Sequence, residues 1–355
     1  MRAEPVSSTG AISPFAEQKR KGLRVALAVS AGFTFMVASG AIVPFLAPLF
    51  AAQFLLASSS PMPLGKIVGM AALILVAGII MMFLTVLMGD RPLSFLLLLG
   101  LIYFLCFFAQ ATAKGGPATF LVLVVAVMVP LLGLLNAELA SSILSILVLG
   151  VIGGAILMML AYALLPAVPT HEAGLTPPPL HPRPVRRALA DTAILLLSVV
   201  LCLTRDGLST ALVVPITVIS LLNQLDMATN ARAAIGLVIV NLLGGVVALL
   251  GYGLLQIEPS LLFIFLITLV TGLVFGGRAA ASGPSGQVYA GALTIFLILF
   301  GVAVSPLPGS AAESFTTRIS YVAGAIVYTL VLAALLWPAR ESTGNNLSDE
   351  RTPAS

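Results

Sequence analysis

Twelve apolar segments fill the chain from residue 22 to residue 338, and most are parted by only a few polar residues. They lie near 22–40, 41–57, 65–88, 92–109, 117–135, 141–165, 187–203, 208–223, 233–256, 259–277, 284–304 and 318–338. A bilayer core about 30 Å thick needs about 20 apolar residues of helix per crossing. Only helices or closed barrels satisfy every backbone group there. Runs of this length are helical, so the expected class is an all-α integral membrane protein with about twelve transmembrane helices. Eleven spans, with 187–203 or 208–223 re-entrant, is the other count. Charged residues make up 8% of the 355, against roughly 25% in soluble domains. No room is left for a sizeable soluble catalytic domain.

The cations test the count. With the N-terminus in the cytoplasm, Arg2, Lys19, Arg20, Lys21, Arg24, Lys66, Lys114, Arg183, Arg186, Arg187, Arg232, Arg278, Arg340 and Arg351 fall on the inner side. Arg91, Arg205 and Arg318 fall outside. An error in the count would flip every later loop and scramble this bias, so the positive-inside rule favours twelve spans with both ends inside. The net charge of +4 belongs to this topology and is no nucleic-acid footprint. The first apolar run is read as a retained helix, not a cleaved signal.

The expected organisation is a cytoplasmic tail 1–21, a six-helix unit 22–165, a linker 166–187, a second six-helix unit 188–338 and a tail 339–355. The linker holds seven prolines and both histidines, a composition that favours extended, solvated chain. The two units match. An offset of 167 puts Gly69 on Gly236, Gly78 on Gly245, Pro92 on Pro259, Gly116 on Gly283 and Pro117 on Pro284. An offset of 171 puts Pro44 on Pro215 and Gln53 on Gln224, with the difference read as an indel before span 3. Two parallel six-helix repeats are therefore expected. In such transporters the substrate binds near the midplane, where interrupted helices of the two repeats meet. Spans 2 and 8, with Pro44 and Pro48 in one and Pro215 in the other, carry that mark. Packing kinks alone are the alternative reading.

Ionisable groups near an apolar interior are costly and are candidates for function. Asp191 lies about one turn into span 7 and is the candidate proton carrier; the other reading is a first-turn Asp favoured by the helix dipole and close to Arg187. Arg24 holds the corresponding place in span 1, as a coupling cation or a snorkelling anchor. Arg205, Asp206 and Arg318 would line an outer vestibule that attracts anions; the other reading is that Arg205 and Asp206 neutralise each other. Asn241, within span 9, lines the path or bridges helices. Gln53, Gln224 and Arg232 complete the candidates at the inner ends of the path. Thr217 and Ser220 read as bonded to their own helix.

Several motifs are missing. Leu64-Gly65-Lys66 lacks the first glycine and the hydroxyl of a P-loop. There is no H-E-x-x-H, no nucleophile elbow and no histidine in a span. An intramembrane enzyme needs such a constellation, so no enzyme and no cofactor or metal is expected. Cys106 and Cys202 sit in apolar runs without metal or redox spacing. The loop Ala57–Lys66 also lacks the basic signature of the major facilitator superfamily.

The stretch from Ala211 to Leu255, the Lys66-Ile67-Val68-Gly69 entry to span 3, Arg232 before Gly236, and the final helix begun by Arg318 resemble the repeat unit of the fusaric acid resistance and aromatic acid exporter superfamily. The resemblance is to its compact bacterial branch, which lacks the large cytoplasmic domain. It departs from the pattern at Lys66, where Arg is usual, and at Gly236, one residue late after Arg232. The resemblance implies an inner-membrane exporter of weak aromatic or other small organic acids, proton-driven. It implies a periplasmic membrane-fusion adaptor as partner, with self-association a further candidate. A passive anion channel and a non-transporting membrane subunit of an envelope complex are the rival functions.

Overall fold

A computed structural model describes residues 14–112, 116–166, 183–204, 213–226, 231–281, 284–305 and 315–336. Among these residues the regular structure is entirely helical. The helices are α1 (Pro14–Ala38), α2 (Leu46–Ala57), α3 (Leu64–Met88), α4 (Pro92–Ala111), α5 (Gly116–Leu135) and α6 (Ala137–Leu164). They continue with α7 (Pro184–Leu203), α8 (Val213–Asp226), α9 (Ala231–Ile257), α10 (Leu261–Ala279), α11 (Pro284–Val304) and α12 (Phe315–Leu336). Each of the twelve expected apolar segments overlaps one of them. Among the described residues, six are long and apolar enough to cross a membrane: Ala16–Ala38, Leu64–Met88, Pro92–Ala111, Ala137–Leu164, Leu261–Ala279 and Gly286–Val304.

Two boundaries differ from expectation. Helix α1 starts at Pro14 and so takes in Glu17, Lys19, Arg20 and Lys21, which sequence alone assigns to a tail. Segment 41–57 is helical only from Leu46. Twelve residues of helix span about 18 Å, less than a bilayer core. The remainder, Ala41–Phe45, is a tight corner. Gly40 enters it at φ 71°, a left-handed conformation open to glycine at little cost. Backbone N–H groups of Ser39, Gly40 and Ala41 close the end of α1 on the carbonyls of Phe35, Val37 and Met36.

Burial sorts the helices. α2 is buried almost all round, from Leu46 to Leu55. The runs 119–131 of α5, 215–222 of α8 and 291–301 of α11 are buried on nearly every face. A helix that is apolar all round belongs in a core; these four lie within it, and the inner faces of the other helices complete it. Leucine, isoleucine, valine and phenylalanine side chains of α3, α4, α6, α9 and α10 face outward, among them Phe83, Leu97, Leu160, Leu250 and Leu266. That outer shell suits lipid, not water.

The contacts fall into pairs six helices apart. α1 packs on α2 and α6, as α7 packs on α8 and α12. α2 meets α6 as α8 meets α12, and α3 meets α5 as α9 meets α11. Between the halves, α1 lies on α10 as α7 lies on α4, and α2 touches α11 as α8 touches α5. Close approach explains several of the glycines. A Cβ on Gly154 of α6 would stand 2.7 Å from Phe50 Cβ and 2.9 Å from Ala47 O of α2. A Cβ on Gly22 of α1 would stand 2.6 Å from Gly277 Cα of α10. At that seam α10 widens into a π-turn, Gly272–Gly276.

Candidate functional site

The starts of α1 and α7 carry the buried charge. Both lie at the same end of the bundle, with the ends of α2, α4, α6, α8 and α10. The α-helix leaves its last carbonyls without internal donors and concentrates partial negative charge there. Residues of α1 answer that need. Arg24, fully buried, donates from Nε to Leu165 O at 2.7 Å and from Nη2 to Pro166 O at 2.9 Å, just past the end of α6. Its Nη1 donates to Glu17 Oε1 at 3.0 Å. Its guanidinium lies 4.9 Å from the centre of the Tyr162 ring, and the Tyr162 hydroxyl donates to Ser58 O. Lys21 Nζ donates to Leu56 O at 2.8 Å, at the end of α2. The basic start of α1 thus fastens the ends of α2 and α6. Arg24 is neither a lipid-facing anchor nor turned to an open path; three charge-assisted bonds hold it. The other oxygen of Glu17, Oε2, is buried with no hydrogen-bond partner among the described residues.

Helix α7 carries a second pair. Arg187 Nε lies 3.0 Å from Asp191 Oδ2, one turn on. Both residues are buried, Arg187 at 7% and Asp191 at 4% exposure. The carboxylate is therefore inside the protein and already shared with a cation.

The prolines sit differently from expectation. Pro44 is buried in the corner before α2, not inside a helix. Pro48 and Pro215 are each the third residue of their helices. A proline in the first turn lacks only an N–H that had no helical partner, so neither loosens its helix. The helix starts 46 and 213, and 64 and 231, keep one offset of 167. At that offset Pro48 falls on Pro215 and Gln53 on Ser220, whereas the offset of 171 puts Pro44 on Pro215 and Gln53 on Gln224. Gln53 is half-buried on the last turns of α2, where it lines a small apolar pocket with Phe54, Ala57, Met62, Met70 and Leu121.

Arg205 and Asp206 lie outside the described residues, as do the side chains of Gln224 on α8, Arg232 and Asn241 on α9, and Arg318 on α12. Thr217 and Ser220 are buried on α8. The structure brings in residues that sequence reasoning passed over: Glu17, Lys21, Tyr162, Gln110, Asn223 and Ser305. For Glu17 a signal existed, since Glu17, Lys21 and Arg24 recur at spacings of four and three along one helix face. Gln110 Nε2 donates to Asn223 Oδ1 at 3.2 Å, joining the ends of α4 and α8. Among the described residues no group of His, Cys, Asp and Glu could hold a metal ion. No family model, curated protein or solved structure matches the chain.

Proposed function

We propose that the chain is a twelve-span transporter built from two parallel six-helix repeats, which exports small organic acids of aromatic type from a bacterial cytoplasm across the inner membrane at the expense of the proton gradient. The observation that carries this reading is the reciprocal contact of α2 with α11 and of α8 with α5. It sets two short, largely buried helices with first-turn prolines at the junction of the halves, which is where transporters of this build hold their cargo. The corner Ala41–Phe45 would complete the crossing begun by α2. Irregular backbone at membrane depth is tolerated where protein encloses it, and Pro44 and Phe45 are buried. Both termini are cytoplasmic on the charge bias. No cofactor takes part, and an adaptor in the periplasm is the expected partner.

Asp191 and Arg187 supply the coupling. A buried carboxylate in an ion pair cannot lose its cation without being neutralised. Asp191 is the proton carrier, and Arg187, bonded to it through Nε at 3.0 Å, is the cation that draws the carboxylate of the organic acid.

The test is accumulation of benzoate and related weak acids in cells lacking or overproducing the protein, with and without a protonophore. Lower accumulation that needs both protein and gradient is expected. Flux that ignores the gradient would make the protein a passive channel. No difference for any acid would turn attention to a subunit role and to capture of its partners.

A further inference from the structure

Among the described residues, two hydrogen bonds join the halves, and they lie at opposite ends of the bundle. At the end holding the start of α1, Gln110 of α4 donates to Asn223 of α8. At the other end, the Ser305 hydroxyl, just past α11, donates to the Ile42 carbonyl in the α1–α2 corner. The second bond has apolar support. The Phe45 side chain covers Gly301, where an added Cβ would stand 2.5 Å from Phe45 Cβ. The Phe33 and Phe300 rings meet at 5.4 Å, and Phe300 stacks on Phe296 at 5.3 Å. These contacts bind α1 and the corner to α11 across the junction of the halves. The first bond closes the opposite end, on the α4 and α8 side, in the reciprocal half of the junction.

We infer that Ser305–Ile42 and Gln110–Asn223 are the two latches of a rocking motion, and that the structure has both shut. The idea rests on the two-repeat reading of the fold but needs no particular cargo. If the halves rock as bodies, releasing one latch opens its own end and tightens the other. Each latch is a single hydrogen bond in a packed surround, so its loss shifts the balance modestly and leaves the fold intact. Gly40, at positive φ, gives the corner a backbone that can turn when Ser305 lets go.

The experiment reads accessibility, not transport. The full chain is reconstituted in liposomes of defined orientation. Cys106, half-buried one turn before Gln110 on α4, reports on one end. Val43→Cys, with Cys202→Ala, reports on the corner. A membrane-impermeant maleimide is applied from each side. Ser305→Ala is expected to raise labelling of the corner cysteine about fivefold, the effect of one net hydrogen bond, and to lower labelling of Cys106. Gln110→Leu is expected to do the reverse. Ser305→Thr, which keeps the hydroxyl, should behave as the parent. Changes confined to the mutated end, or none, would overturn the latches. Anti-correlated labelling in a protein that exports no acid would keep the latches and overturn the proposed cargo.

Discussion

Pro48 and Pro215 stand 167 residues apart, and each is the third residue of a short buried helix. In the proposed two-repeat reading, this shared place sets the register of the two halves. It also says that these prolines start helices and do not break them. Pro48→Ala and Pro215→Ala should each cost under about 1 kcal/mol, because the restored N–H has no acceptor within the helix. Ala51→Pro and Val218→Pro, three residues on, remove a helical bond and should cost about 3 kcal/mol each. Melting temperatures of the purified variants test this. A large loss from either Pro→Ala change would return the prolines to a kink role.

Arg24 should be the least replaceable charge in the described part of the chain. Arg24→Met leaves the Leu165 and Pro166 carbonyls and the Glu17 carboxylate without their donor. Breaking a buried pair on one side costs about 3–5 kcal/mol. Arg24→Lys keeps the charge but not the planar fork that reaches three acceptors, so its stability should fall between the two. Lys21→Met loses one bond to Leu56 O and should cost about 1 kcal/mol. Thermal unfolding that ranks Lys21→Met below Arg24→Met would refute the assignment.

The helices were legible because each apolar run is long and each break short. Their ends were less so. Ala41–Val43 are apolar, yet they form the corner, since the turn closed on Gly40 depends on backbone conformation and not on hydropathy. Glu17 and Lys21 read as tail because polar residues usually end a span; they are helical because the carbonyl ends of α2 and α6 stand beside them. Those partners are 35 residues from Lys21 and 141 from Arg24, and no local pattern announces them. The Arg187–Asp191 pair, one turn apart on a single helix, was visible in the spacing. Gln110 and Asn223, 113 residues apart, were not.

The seam of α1 and α10 should tolerate a cross-link but not bulk. A Cβ on Gly276 would lie 3.3 Å from Val25 Cβ, a few tenths of an ångström short of the roughly 3.5–4.5 Å of disulfides. Val25→Cys with Gly276→Cys should oxidise fully, in a background with the native cysteines replaced by alanine. Gly22→Val would drive side-chain carbon into the Gly277 backbone and should abolish folded protein. Gly69→Ala, with open space around its Cβ position, should be neutral or stabilising by about 0.5–1 kcal/mol. Gel mobility with and without reductant, and yield of monodisperse protein, give the readouts.

Asp191→Asn separates a coupling role from a purely structural one. Asparagine keeps the shape and one oxygen for Arg187 Nε, which donates to Asp191 Oδ2 at 3.0 Å, but it cannot take up or release a proton. If Asp191 only neutralises Arg187, the variant is destabilised, and Arg187→Gln added to Asp191→Asn recovers stability by removing the orphaned charge. If Asp191 carries the proton, gradient-driven export of benzoate stops in Asp191→Asn while the folded yield stays near that of the parent, and the double variant stays inactive. The second pattern is expected, because Arg187 would still hold the organic anion once the Asp191 carboxylate no longer competes for its Nε. Binding should then survive what transport does not: Asp191→Asn protein should still be stabilised by benzoate in a thermal shift, and Arg187→Gln should not. Export retained in Asp191→Asn would remove this residue from the coupling mechanism.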